Sequence, residues 1–253
     1  MSVRGALRAR VNGVFGLVRR RPTRGRILLY HEVRRGADPI GAVDPEAFRA
    51  HQGWLRSRGL RGTTIAAMRG DGSPDGVVAL SFDDGHASVV DACAVLVAMG
   101  YAATLFVVPA WVERGGTGTC SWTELAALAR EGFEVGSHDL AHERPCGVQA
   151  AVLAERYRAS KILIEDRLGV EVTGLAYPYG LAPAHARRAA ALAGYAYAVT
   201  SEPGANREGA DPLRLRRNEI HGTDRESGLI GKLAGTDDWF APIRRLEHRL
   251  TCG

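Results

Sequence analysis

The chain has 253 residues, 45% of them hydrophobic, and a formal net charge of +5. A chain of this length and apolar content can bury a substantial core and fits one large domain of the size that α/β barrels reach. No run of about 18 apolar residues occurs, which argues against a membrane-spanning helix. The cationic excess belongs to an N-terminal arm and not to a basic face, which argues against a nucleic-acid partner.

That arm, residues 1–26, carries Arg4, Arg8, Arg10, Arg19, Arg20, Arg21, Arg24 and Arg26. Val3, Leu7, Val11, Val14 and Val18 recur between them at helical spacing. A basic amphipathic segment of this kind can make peripheral contact with an anionic membrane, or pack on the domain as a helix or arm. Val11 to Val18 is too short and too interrupted by Asn12, Gly13 and Gly16 to serve as a secretory signal. Cys93, Cys120, Cys146 and Cys252 have no close-paired spacing and read as free thiols in a reducing compartment. A cytoplasmic protein is therefore expected.

Ile27 to Tyr30 is a strand-like run ending at His31-Glu32. Asp44-Pro45-Glu46 opens a helix, with Asp44 as N-cap and Pro45 in the first helical position. Val77 to Leu80 is a buried strand leading into Ser81-Phe82-Asp83-Asp84-Gly85. A helix through Val89 and Val95 follows, then a strand over Ala103–Val108. Ser121 and Glu124 form a capping box for the next helix. Phe133 to Gly136 is a strand that finishes at Ser137-His138, and Ala150 to Leu168 is a long helix. The strand Val172–Tyr177 ends at Pro178-Tyr179-Gly180, a small-residue helix runs from Pro183 to Leu192, and strands follow at Tyr197–Thr200 and Leu213–Ile220. Alternation of about seven strands with helices predicts a parallel sheet, open or closed into a barrel. In such folds chemistry gathers at the C-terminal strand ends, where His31, Asp83-Asp84, His138, Tyr179 and His221 all fall.

Two adjacent acids after a strand also suit a helix N-cap with a turn glycine, and two histidines four apart are more often ordinary core or surface residues. Together they suit a metal. If the chain turns helical at His138, then His138 and His142 project on one side, and two imidazoles plus one carboxylate with an open position make a hydrolytic zinc site. One of Asp83 and Asp84 supplies that carboxylate and the other is left as a base.

Joined in this order, these motifs resemble the polysaccharide deacetylase family, the carbohydrate esterases of the NodB-homology type. Ser81 to Gly85 matches its acid-pair motif and His138–His142 its His-x-x-x-His motif. Ala103–Pro109 and Ala176–Gly180 match two further phrases. The resemblance runs from about Ile27 to about His221. It implies a distorted (β/α) barrel over residues 27–222, with Asp83 as general base and Asp84, His138 and His142 holding one divalent metal. Zinc is the expected ion, with nickel or cobalt as substitutes. It also implies that the backbone N–H of Tyr179 stabilises the oxyanion, beside Pro178 in the substrate-binding wall. The family's arginine two residues before the proline is absent here, where Ala176 stands. Arg217 is the expected substitute for bracing Asp83. The catalytic acid phrase near the C-terminus of many members has its match in Leu28-Leu29-Tyr30-His31. This resembles the permuted deacetylases of poly-N-acetylglucosamine and makes His31 the expected acid, with His221 as rival and substrate contact. His86 and His185 read as surface residues.

Residues 223–253 form an amphipathic helical extension through Leu229, Leu233, Trp239, Ile243, Leu246 and Leu250, expected to close the barrel bottom or pack beside the arm. A partner groove or a membrane footing is the alternative. The implied activity is hydrolysis of the N-acetyl group of an amino sugar or glycoconjugate, with O-acetyl as the lesser option. An intracellular glycoconjugate, a lipid-linked sugar or an amino-sugar metabolite is the expected substrate. A non-catalytic sugar-binding barrel and an amidase or deaminase on a cyclic C–N bond are the competing readings.

Overall fold

A computed structural model describes residues 25–36, 41–70, 75–116 and 118–252. The basic amphipathic arm lies outside the described residues, apart from Gly25 and Arg26. In chain order the elements begin with β1 (Ile27–Tyr30), β2 (Glu32–Val33), β3 (Ala42–Val43), α1 (Pro45–Ser57), β4 (Arg61–Thr63), α2 (Ile65–Gly70), β5 (Val77–Phe82), α3 (Val89–Ala98) and β6 (Thr104–Val107). They continue with α4 (Pro109–Arg114), α5 (Trp122–Arg130), β7 (Glu134–Ser137), α6 (Ala150–Leu168), β8 (Gly174–Ala176), α7 (Ala184–Leu192), β9 (Tyr197–Val199), β10 (Asn218–Glu219), α8 (Glu226–Ala234) and α9 (Ala241–Cys252). The expected caps form: Asp44 accepts from the Glu46 N–H, and Ser121 and Glu124 complete the capping box.

The strands β10-β1-β5-β6-β7-β8-β9 make one curled parallel sheet, and β4 pairs with the start of β5 on the edge that β6 takes over further along. The curl is a distorted barrel drawn shut by one short segment. Leu215 bridges to Val199 of β9, and three residues later Asn218 pairs with Leu28 of β1. The last strand is thus much shorter than the expected Leu213–Ile220. Pro212 sets a 3-10 turn over Pro212–Arg214, capped by Asp211, and removes that stretch from the ladder.

Two apolar clusters divide the strands by parity. One joins Leu28, Tyr30, Leu80, Phe82, Leu105 and Val135 to the surrounding helices. The other, including Ile27, Ala79, Phe106, Ala176, Tyr197 and Leu215, fills the barrel interior. Because side chains alternate along a strand, stepping in twos from the interior set reaches His31 from Ile27, Asp83 from Ala79, and Arg217 and Glu219 from Leu215. The interior residues therefore lead to the polar residues at the C-terminal rim.

The opposite rim is plugged by α2. Its Ile65 and Met68 enter the interior cluster, its first N–H groups bond Thr104 and Glu134, and Glu134 also accepts from Tyr197 Oη at 2.8 Å. The C-terminal extension therefore does not close the barrel bottom. Its last helix, α9, starts near that rim, where Arg26 grips Asp238 through two 2.7 Å bonds. A helix of twelve residues is about 18 Å long, enough to climb the barrel wall, and α9 ends at the opposite rim. There Cys252 is disulfide-bonded to Cys146 in the loop after β7. Only Cys93 and Cys120 are free, both buried. The expectation of four free thiols is wrong by one pair, because residues 106 apart in sequence meet only through the fold. Cysteine usage then no longer argues for a reducing compartment. Among the described residues no helix is long and apolar enough to cross a membrane.

Candidate active site

The site begins where β5 ends. The Asp83 N–H still bonds Tyr30 O across the ladder at 3.0 Å, so Asp83 keeps the strand parity that turns it inward. Asp84 does not continue the strand; it turns into the left-handed region at φ 72°. The division between the two acids is made by this turn and not by strand pleat. Gly85 follows at φ 67°, and a Cβ there would meet Val107 at 3.1 Å, so the turn also needs the missing side chain.

Asp84, Asp139, His142 and Tyr179 are all the non-glycine residues with positive φ among the described residues, and all belong to the site or its support. Such conformations persist where surrounding contacts over-determine them. The contacts are visible at the second motif. No helix forms after His138. A loop carries the chain instead, and the fully buried Asp139 holds it by accepting from the Glu143 N–H at 2.9 Å and from Arg156 Nε at 2.7 Å. This loop brings His142 back over His138, ring centroids 4.7 Å apart, between the rings of Trp111 and Tyr179.

His138 Nδ1 donates to Ala176 O at 2.8 Å, which leaves Nε2 as the lone-pair nitrogen facing the cavity. Ala176, where the family's arginine is missing, thus contributes through its carbonyl. Asp84 Oδ1 lies 3.4 Å from His138 Nε2 and 3.6 Å from His142 Nε2. It is buried and has no hydrogen-bond partner among the described residues. Two ligand atoms each about 2.1 Å from one ion at a tetrahedral angle lie about 3.4 Å apart. The three donors, mutually within 4.8 Å, therefore fit a small divalent cation.

Arg217 is 1% exposed and reaches Asp83 from the closing segment. Its Nη1 and Nη2 donate to the two carboxylate oxygens at 2.6 and 2.7 Å, its Nε to Thr200 O at 2.9 Å, and it lies over the Phe106 ring. Burial alone would raise the Asp83 pKa; the charges of Arg217 and His138 outweigh it and hold the carboxyl below its ordinary value. Burial likewise opposes ionisation of Asp84, and the neighbouring imidazoles of His138 and His86 reverse that, so it stays far below the usual carboxylate range. For His138 burial is again outweighed, here by Asp83 and Asp84, and its pKa is raised. His142 is lowered by burial and by the neighbouring His138, which favours the neutral imidazole that metal ligation needs.

These residues line a cavity of about 390 Å³ together with His31, Arg144, Tyr179, Glu219 and Arg244. His31 is in this cavity, whereas His221 lines a neighbouring one. Glu219 Oε1 stands between them, 3.9 Å from Nδ1 of each. Pro178 is buried and starts the 3-10 turn that puts Tyr179, at φ 59°, on the cavity wall, with Arg144 stacked 4.0 Å over its ring.

Several neighbours of the site lie outside the sequence motifs. Glu219 has a readable signal, since it shares parity with Arg217. His86, taken as a surface residue, is half-buried with Nε2 3.5 Å from Asp84 Oδ2. His185 instead bonds Pro145 O at 2.9 Å and supports the loop that ends in Cys146. The wall formed by Arg244, Glu247, His248 and Thr251 of α9 carries no local signal at all.

The model of the family described as polysaccharide deacetylase matches residues 70–198, half of the chain, from just before β5 to β9. The chain belongs to the polysaccharide deacetylase family. It is thereby a hydrolase of carbon–nitrogen bonds other than peptide bonds, acting on N-acetylated carbohydrate. A curated relative named for the same family, YxkH of Bacillus subtilis (strain 168), is 28% identical over 191 residues, covering 73% of this chain and 67% of YxkH. The deacetylase PplD of Streptococcus pyogenes, solved with acetate, superposes with a TM-score of 0.77 at 20% identity over 84% of this chain and 99% of its own. IcaB of Ammonifex degensii gives 0.74 at 23% identity over 83% and 97%. At those identities the two structures speak for the fold alone, and in this deacetylase the fold is theirs.

Proposed function

We propose that the chain is a metal-dependent deacetylase that hydrolyses the N-acetyl group of an amino sugar or glycoconjugate. The observation that carries the reading is the partnerless buried Asp84 Oδ1 facing two imidazole nitrogens, beside a carboxylate locked by Arg217. Asp84, His138 and His142 would hold the ion, zinc by the ligand set. Such an ion supplies polarisation of the acetyl carbonyl and a water of lowered pKa.

The chain's own groups do the rest. Asp83, kept ionised and oriented by Arg217, accepts a proton from the attacking water. The backbone N–H of Tyr179 donates to the oxyanion that develops on the acetyl carbonyl oxygen as water adds to its carbon, and the Tyr179 ring walls the acetyl group with Pro178. His31 protonates the leaving amine, with the Glu219 carboxylate 3.9 Å from its Nδ1 as the nearby negative charge. General acid–base help of this kind is worth roughly 10²–10⁴-fold. The open cavity, lined by charged and aromatic groups, suits a sugar better than the small planar ring of a cyclic amide.

The test is acetate release from N-acetylglucosamine oligomers, with metal analysis, for wild type and Asp83→Asn. The variant is expected to keep the metal and lose turnover. Unchanged activity refutes the base assignment, and loss of an amine without acetate points to the deaminase reading.

A further inference from the structure

α9 has two unlike faces. One holds the helix to the body and to the cavity: Arg245 reaches the buried Glu202, and Arg244, Glu247, His248 and Thr251 line the cavity mouth. About a third of a turn round the axis, Ile243, Leu246 and Leu250 recur at helical spacing, 42, 56 and 76% exposed, and Trp239, 56% exposed in the 3-10 turn Asp238–Phe240 that leads into the helix, extends their line. Four of the nine exposed large hydrophobic residues of the described chain thus fall in one stripe of twelve positions. The helix is not free to roll this face inward. The Arg26–Asp238 pair fixes the chain just before the stripe, and the Cys146–Cys252 disulfide fixes its end.

We infer that this stripe is a docking surface for an anionic membrane. Charge decides between occupants. Residues 1–24 contain seven arginines and no acid, and that segment joins the described chain at Gly25, one residue before the arginine that holds Asp238. A polybasic segment tethered beside an apolar stripe provides the two signals that stable peripheral binding takes. The same charge disfavours the other occupants. The four residues of the stripe include no acid to receive the arm's arginines, and a second copy would bring a second arm of seven arginines beside the first. A docked stripe sets the cavity mouth, built on the same helix, at the level of the lipid headgroups.

The experiment uses full-length protein and phosphatidylcholine vesicles with and without phosphatidylglycerol. Wild type is expected to sediment with the anionic vesicles, less so as salt is raised, and Trp239 fluorescence is expected to be quenched by brominated lipid, with Trp239→Phe identifying its share of the signal. The exposed triple variant Trp239→Ser, Leu246→Ser, Leu250→Ser is expected to keep its circular dichroism and lose at least about tenfold in partitioning. Equal partitioning of the variant overturns the inference, as does vesicle binding without quenching of Trp239. A wild-type dimer that the triple variant splits, with no vesicle binding, overturns it in favour of a second copy. Trp239 emission that shifts only on deletion of residues 2–24 overturns it in favour of the arm.

Discussion

Replacing Arg217 with methionine removes a guanidinium that is 1% exposed and donates to both oxygens of Asp83, to Thr200 O and, at 3.3 Å, to Ser81 Oγ. Asp83 is itself only 3% exposed, so the variant leaves a buried carboxylate without its counter-charge. Breaking such a pair from one side costs about 3–5 kcal/mol. At roughly 2–4 °C per kcal/mol for a chain of this size, the melting temperature should fall by about 6–20 °C. The pH dependence has a definite sign. Asp83 is held below its ordinary pKa, so the pair stabilises the fold above the ordinary carboxylate pKa, and that stability is lost as pH falls through the depressed value. The deficit of the variant should therefore shrink in acid, and the acid limb of its residual activity should move to higher pH as the base becomes easier to protonate. Adding Asp83→Asn to the variant should recover part of the stability, because the orphaned charge is gone. Arg217→Lys should rescue poorly, since an ammonium cannot match both oxygens. Thermal melts and a pH–rate profile measure all of this. A melting temperature unchanged in Arg217→Met, or an acid limb that stays put, refutes the bracing role.

Asp84→Asn and His138→Ala should each lose the metal, read by elemental analysis after dialysis, with the circular dichroism spectrum retained. In wild type the metal affinity should fall as pH drops through the imidazole range, protons competing first for His138, whose pKa is raised, and later for His142, whose pKa is lowered; affinity flat across that range would count against histidine ligation. His31→Ala should lower kcat by roughly 10²–10⁴-fold while His221→Ala stays within a few fold, and the reverse order would move the acid to the neighbouring cavity. Cys146→Ser should cost about 2–4 kcal/mol and raise KM, because the freed end of α9 carries part of the cavity wall; a wild-type KM would detach that helix from substrate binding.

Much of this arrangement is legible without coordinates. The acid pair, the two histidines and Arg217 are all found from motifs, and period-two alternation explains why Asp83 and Arg217 meet inside one barrel. The expected helix at His138 fails because a buried ion pair, Asp139–Arg156, outweighs local spacing and holds a left-handed loop. The expected long last strand fails because Pro212 and a capping Asp211 favour a turn. The order of strands and helices, the motifs at strand ends and their chemical types are local properties, so the sequence by itself determined them. Which residues from distant stretches share a surface is settled only by packing. The partnering of Cys146 with Cys252, the placing of α9 over the cavity mouth and the choice between His31 and His221 as its neighbour all depend on contacts between residues that no periodicity connects.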